Sequence, residues 1–187
     1  MRSETHRIII GLVPEGSRVL DVGCSTGLLG KELKKKGCYV VGVEPGESAR
    51  EAKKHLDKVL NKKIEDVNLR DKFDVIVFSD ALEHLPDPEM VLKKLKKNLE
   101  KDGFVVASIP NVANWRVRFS LLLGRFDYKD YGICDRTHLR FYTRNTSLKL
   151  FRDSNYEVLK VIPAGRLIRR IRILPGLFAT HFIIIAR

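Results

Sequence analysis

At 187 residues the chain has room for one substantial core and little more. Lysine and arginine outnumber aspartate and glutamate by 35 to 23, a formal net charge of +12, which keeps a polyanionic partner among the candidates. No apolar run is long enough to span a bilayer, and the three cysteines (Cys24, Cys38, Cys134) are odd in number with no C-x-x-C pair, which argues against a disulfide framework or a zinc site.

Ile8-Ile9-Ile10 is too short for the apolar region of a signal peptide, and free thiols suit a reducing compartment, so a cytoplasmic domain is expected. The first strand is predicted at 18–23, where Val19, Leu20 and Val22 suit a buried parallel strand. Gly23 and Gly27 let the chain turn tightly and approach a ligand, and a helix follows at 27–36, stopped by Gly37. A second apolar strand at 39–43 ends in Glu44, 23 residues after Asp21. That is near the spacing at which an acid accepts hydrogen bonds from a ribose in nucleotide-binding βαβ units. Further strands are predicted at 58–60, 73–79, 103–109, 155–162 and 178–186, with helices at 46–56, 88–99 and 144–153. Asp87-Pro88 starts one of these helices and Thr143 caps another. The alternation defines an α/β domain over 1–187, without repeats or linkers.

Three readings of the loop after the first strand compete. A dinucleotide fingerprint would want glycine where Ser25 stands. Gly23-Cys24-Ser25-Thr26-Gly27 also matches a hydrolase nucleophile elbow, but only 17 residues precede this strand, too few for that fold. A nucleoside without phosphates is the third, and it needs no extra anion-binding donors. A Walker loop is excluded, because no Gly-Lys-Ser/Thr follows. Cys24 reads as a small buried filler beside this ligand loop.

The segment 112–142 is too long for an ordinary connection and is expected to form an acceptor-side lid. Trp115, Phe119 and Leu122 recur on one helical face there, expected to pack on the sheet. Tyr128, Tyr131, Asp135 and His138 lie on the return toward the carboxyl edge of the sheet, and Trp115, Tyr128, Tyr131 and Asp135 are the candidate acceptor-binding residues. Near the end, Arg166 to Leu174 reads as a short basic amphipathic helix, expected to pack on the sheet with its arginines in water; docking of an anionic acceptor or peripheral membrane contact is the alternative.

Val19-Leu-Asp-Val-Gly-Cys-Ser-Thr-Gly27 resembles the first motif of class I S-adenosylmethionine-dependent methyltransferases, and Val41-Gly-Val-Glu-Pro45 their second. Phe73 to Pro88 resembles the fourth strand and following loop of the small-molecule branch, and Lys101 to Asn111 the fifth strand. Asp135 to Thr143 resembles a segment of relatives that accompany glycan or lipid assembly. Ser25 departs from the glycine commoner in the superfamily.

The resemblance implies a Rossmann-like seven-stranded sheet ordered 3-2-1-4-5-7-6, mostly parallel, with the last strand antiparallel. It also implies S-adenosylmethionine as cofactor. Asp21, Gly23, Cys24, Ser25 and Gly27 would lie along its methionine part, and Glu44 with Pro45 at the ribose. Asp66 and Val67 would lie by the adenine, and Asp80 and Ala81 beneath the methionine end.

A hydroxyl acceptor needs a base, and histidine suits the role. His138 is the preferred base because it belongs to the acceptor-facing segment; His84 is the alternative. No metal is expected. Methylation of a small-molecule or glycan-type oxygen ranks first. RNA or DNA methylation ranks second: Asp80-Ala-Leu-Glu83 stands where base-amine methyltransferases carry their Pro-Pro-aromatic motif. Cofactor binding without turnover ranks third.

Overall fold

The computed structural model describes residues 4–168 and 173–187. Its centre is a seven-stranded sheet, made of β1 (Arg18–Val22), β2 (Tyr39–Val43), β3 (Lys58–Leu60), β4 (Phe73–Ser79), β5 (Leu99–Pro110), β6 (Val158–Ala164) and β7 (His181–Ala186), in the order β3-β2-β1-β4-β5-β7-β6. Neighbours from β3 to β5 pair in parallel, and β7 runs antiparallel to both β5 and β6. This is the expected order and polarity.

Side chains alternate across the strands, so each strand feeds two cores. Leu20, Ile76, Phe78, Val105 and Ala107 point to one face. They meet Val91, Leu92 and Leu95 of α4 (Pro88–Lys96) and Leu150 and Phe151 of α6 (Arg144–Asp153). Val19, Val75, Val77, Val106 and Ile183 point to the other face. There they meet Ile9 of α1 (Glu4–Leu12) and Leu29 and Leu33 of α2 (Leu28–Lys34). Each fully buried aliphatic or phenyl group of this kind contributes roughly 1.5–3 kcal/mol. The near-continuous apolar runs of β4 and β7 follow from being covered on both faces.

The caps read from the sequence are formed. Asp87 accepts from Met90 N at 2.9 Å with Pro88 in the first turn of α4, and Thr143 makes a capping box with Thr146 on α6.

Four features differ from expectation. Helix α1 lies where no element was expected; burying Thr5, Ile9 and Val13 at a four-residue spacing beside α2 and β7 outweighs the β-branched propensity of Ile8-Ile9-Ile10. The helix predicted at 46–56 shortens to α3 (Ala49–Ala52), because Lys54 N and His55 N bond three residues back, to Glu51 and Ala52. Strand β5 begins earlier, at Leu99.

The fourth difference is the helix of the 112–142 segment, α5 (Trp115–Leu122), which keeps its apolar stripe in solvent. Phe119 is 56 % and Leu122 81 % exposed, while Val117 is buried. Its N-terminus does the anchoring: Asn114 caps Arg116 N and donates to the carbonyls of Ala179 at 2.9 Å and Phe178 at 3.4 Å. Of the basic helix expected at 166–174, residues 169–172 lie outside the described residues. No helix among the described residues is long and apolar enough to cross a membrane.

Candidate active site

The carboxyl ends of β1, β2 and β4 lie side by side, with Val22 in register with both Val43 and Phe78. Parallel strands deliver their following loops to one edge, which is where α/β sheets bind ligands. The loop after β1 is pinned to β2: Gly23 N and Cys24 N both donate to the Val43 carbonyl, at 2.8 and 3.2 Å. Glu44 completes the brace. Its Oε2 accepts from Ser25 N and its Oε1 from Gly46 N, each at 3.0 Å.

Two glycines are obligatory here. Gly23 has φ 74°, and a Cβ on it would lie 3.0 Å from the Ala81 Cβ. Gly27, with φ 80°, opens α2, and a Cβ on it would lie 3.0 Å from the backbone of Ala52. Ser25 and Asp80 are also left-handed, at φ 47° and 51°, without the freedom of glycine. Such strain clusters at functional sites.

These loops enclose a cavity of about 540 Å³. Of the expected cofactor residues, Gly23, Ser25, Glu44, Pro45, Asp80 and Ala81 line it. Gly27 and Cys24, buried within the loop, do not line it, and burial pushes the Cys24 thiol well above its ordinary range. Asp21 lies beneath the loop, 1 % exposed, with Oδ2 unpartnered. Burial, and then the charge of Glu44, pushes its carboxyl up to about 7.

Asp66 is exposed and Val67 is buried in the core; the cavity is lined instead by their neighbours Lys63, Ile64 and Glu65. The short helical turn Ile64–Asp66 makes that exchange by burying Ile64 and turning Asp66 to solvent. An apolar residue at 64 inside a charged run was the available signal.

Asp80 is held by Ser108, whose Oγ accepts from Asp80 N at 2.9 Å and donates to Asp80 Oδ1 at 2.7 Å. His181 Nε2 stands 3.7 Å from the same Oδ1. The turn Leu82–His84 follows. His84 lines the cavity, whereas the His138 side chain is only 5 % exposed and lies behind it, their ring centroids 4.8 Å apart. Burial, and then the charge of His84, holds His138 below the ordinary histidine range.

Between them sits Glu83, to which the sequence reading gave no role. It is 1 % exposed, neither carboxylate oxygen has a hydrogen-bond partner, and burial with the charge of Asp80 raises its carboxyl to about 8. Its carbonyl receives Leu139 N and Arg140 N at 2.9 and 3.2 Å, stapling the returning 112–142 segment to the loop after β4. The signal for Glu83 was an acid set between Leu82 and Leu85. Leu139, Leu85 and Pro86 also line the cavity unannounced.

The expected acceptor residues are not brought into the cavity wall. Trp115, Tyr128 and Tyr131 are 38, 57 and 80 % exposed. Asp135 accepts from Thr137 N at 2.8 Å and Thr137 Oγ1 at 2.6 Å, bonds that hold its carboxyl below the usual range.

A seven-stranded sheet of this order, with a glycine-loop cavity at its carboxyl edge, defines a class I methyltransferase fold. The profile of the methyltransferase-domain family matches residues 1–161, and the chain belongs to that family. The chain is 34 % identical over 120 residues to the ubiquinone biosynthesis O-methyltransferase of Bradyrhizobium diazoefficiens, covering 60 % of this chain and 47 % of that protein. To the protein of the same name from Coxiella burnetii it is 35 % identical over 105 residues, covering 52 % and 45 %. The chain therefore spans about half the length of the curated relatives it matches.

Among solved structures, an S-adenosylmethionine-dependent methyltransferase from Mesorhizobium loti superposes with a TM-score of 0.71 at 18 % identity, covering 99 % of this chain and 98 % of the other. The 1,6-didemethyltoxoflavin N1-methyltransferase of Burkholderia thailandensis, solved with its substrate and S-adenosylhomocysteine, superposes at 0.67 and 17 % identity, covering 98 % and 76 %.

Proposed function

We propose that the protein transfers a methyl group from S-adenosylmethionine to a hydroxyl oxygen of a small-molecule or glycan-type acceptor. The observation that carries the cofactor half is the pair of acids at the glycine loop. Asp21 keeps a buried oxygen without a partner, and Glu44 presents its carboxylate at the cavity wall. A ligand that is cationic at one end and a nucleoside at the other fits both: its charge stabilises ionised Asp21, and its ribose hydroxyls donate to Glu44.

When bound, the cofactor supplies a methyl carbon already activated on a sulfonium, so the protein mainly aligns and removes a proton. Gly23 and Ser25 would lie along the methionine part, with Asp80 and Ala81 beneath it, all four at the cavity wall. Ile64 and Glu65 take the adenine-side position expected of Asp66. The hydroxyl proton leaves to the histidine pair, of which His84 borders the cavity.

Oxygen methylation of a small molecule is supported by the names of the curated relatives, ubiquinone biosynthesis O-methyltransferases. Calorimetry with S-adenosylmethionine and S-adenosylhomocysteine tests the cofactor half. A screen of phenolic and glycan acceptors with a labelled methyl donor tests the rest; turnover on RNA alone would replace the acceptor assignment.

A further inference from the structure

Hydrogen bonds tell the two histidines of the pair apart. His138 Nδ1 is 3.2 Å from the Ile133 carbonyl, which can only accept, so Nδ1 carries the proton. Its Nε2 faces Glu83 Oε1 at 4.0 Å, so both nitrogens are turned to the protein. His84 borders the cavity. Its Nδ1 is 3.2 Å from the Thr137 carbonyl, again an acceptor only, so this nitrogen is the donor and Nε2 keeps the lone pair. A neutral imidazole with a bare nitrogen is the form that takes a proton.

The same Nδ1 of His84 lies 3.2 Å from Thr137 Oγ1. The Thr137 hydroxyl gives its one proton to Asp135 Oδ1 at 2.6 Å, which leaves its oxygen to accept from His84. The result is a chain of donors, from the His84 N–H through the Thr137 hydroxyl, ending on a carboxylate. A turn closed by Asp135 needs only the bonds from Thr137 N and Oγ1; it does not need an imidazole from 53 residues earlier. Those bonds hold the Asp135 carboxyl below its usual range, so it is ionised at neutral pH. His138 packs edge-on against His84, ring centroids 4.8 Å apart, and steadies that ring from the other side.

We propose that Thr137 and Asp135 are positioning residues for His84, and that His84 is the member of the pair that takes the acceptor's hydroxyl proton. This rests on the methyl-transfer reading. As the O–H bond breaks, the proton moves to His84 Nε2 and its electron pair stays on the acceptor oxygen. The imidazolium keeps its Nδ1–H on Thr137, and the Thr137 hydroxyl relays the attraction of Asp135, because hydrogen bonds in a chain polarise one another. Asp135 thus acts on the reaction without touching the acceptor.

The first test needs no turnover. Nitrogen NMR of the ligand-free full chain, with His84 assigned by its loss in His84→Asn, should show Nδ1 protonated and Nε2 bare. Carbon NMR should show the Asp135 titration moving up toward the ordinary carboxylate range in Thr137→Val and staying in place in Thr137→Ser. The opposite tautomer of His84 in the wild type overturns the proposal.

The second test is kinetic, with a series of phenols as methyl acceptors. Thr137→Val and Asp135→Asn should each lower kcat by about 10-fold, the low end for a hydrogen bond to a charged group at a site open to water. KM and S-adenosylmethionine affinity should stay unchanged, and Thr137→Ser should restore kcat. The double variant should lose no more than either single one, since both break one chain. With a dinitrophenol, already ionised at the assay pH, the loss should vanish, because no proton is left to remove. An equal loss on every phenol, or none on any, overturns the positioning role. Wild-type protein that binds S-adenosylmethionine yet methylates no phenol counts against the acceptor reading instead. The expected spectra would then still support the hydrogen-bonded chain, and the opposite tautomer would still overturn it.

Discussion

The Glu44 carboxylate holds the Ser25 N–H at 3.0 Å, joining the loop after β1 to the turn after β2 across 19 residues of sequence. Each carboxylate oxygen has a second lone pair, so this brace and a ribose contact are compatible. Glu44→Ala removes both. S-adenosylmethionine binding should weaken by about 1.5–3 kcal/mol, the range for hydrogen bonds to a charged group. Calorimetry on a variant of unchanged circular dichroism checks it, and unchanged affinity would reject the ribose role.

Asp21 makes stability depend on pH. Its carboxyl is raised to about 7 in the folded protein by burial and by Glu44, against an ordinary carboxylate value near 4 when unfolded. The folded state therefore holds the proton more tightly. Its stabilising contribution is full below about pH 4 and is lost as pH rises to about 7, with an upper size of ~4 kcal/mol from about three units at 1.36 kcal/mol each. Asp21→Asn should flatten that part of the stability–pH curve in urea melts of ligand-free protein. Parallel curves for the two proteins would reject it.

Gly27→Ala tests the loop backbone. A left-handed alanine costs roughly 1–2 kcal/mol, and its Cβ would lie 3.0 Å from the Ala52 backbone, which has no flexible end to give way. The urea midpoint should fall and cofactor affinity should fall with it. Gly124→Ala is the control: it shares a positive φ of 71°, but its Cβ meets nothing within 4 Å. An equal loss in the two variants would assign the effect to conformation alone.

His84→Ala and His138→Ala should each cut turnover by ~10²-fold or more while cofactor affinity stays nearly unchanged, the usual size for losing proton removal. His138 should also cost stability, since its side chain is buried and bonded to Ile133. Loss of cofactor binding in the His84 variant would move that residue from acceptor chemistry to the shape of the cavity.

The solvent-facing stripe of α5 predicts an inverted result. Leu122→Ser should change stability by less than ~0.5 kcal/mol, as for exposed positions, although leucine reads as core. Val117→Ala, at the buried position, should cost about 1.5 kcal/mol, two methylene-sized groups' worth. The reverse ranking in thermal melts would mean that the stripe is covered in solution.

The apolar runs ending in Asp21, Glu44 and Asp80, and the glycine loop between the first two, were legible because they are local. A buried parallel strand must be apolar on both faces, and a tight ligand turn must contain glycine. Together with the spacing of the two acids, they located six of the cavity-lining residues. Helix α6 was likewise readable to its ends because Thr143 caps it and its buried positions repeat. By itself, then, the sequence determined the α/β alternation, the motif order and the edge of the sheet that carries the site. Only the tertiary structure decided that Glu83 meets His138, 55 residues later, and that the Trp115–Leu122 stripe faces water. Periodicity reports which face of an element is apolar, but not what covers it. The meeting of Glu83 and His138 depends on the path of the 112–142 segment, which is set by the Leu139 and Arg140 amides docking on the Glu83 carbonyl. A backbone hydrogen bond of that kind leaves no mark in side-chain identity, and so it becomes visible only once the chain has folded.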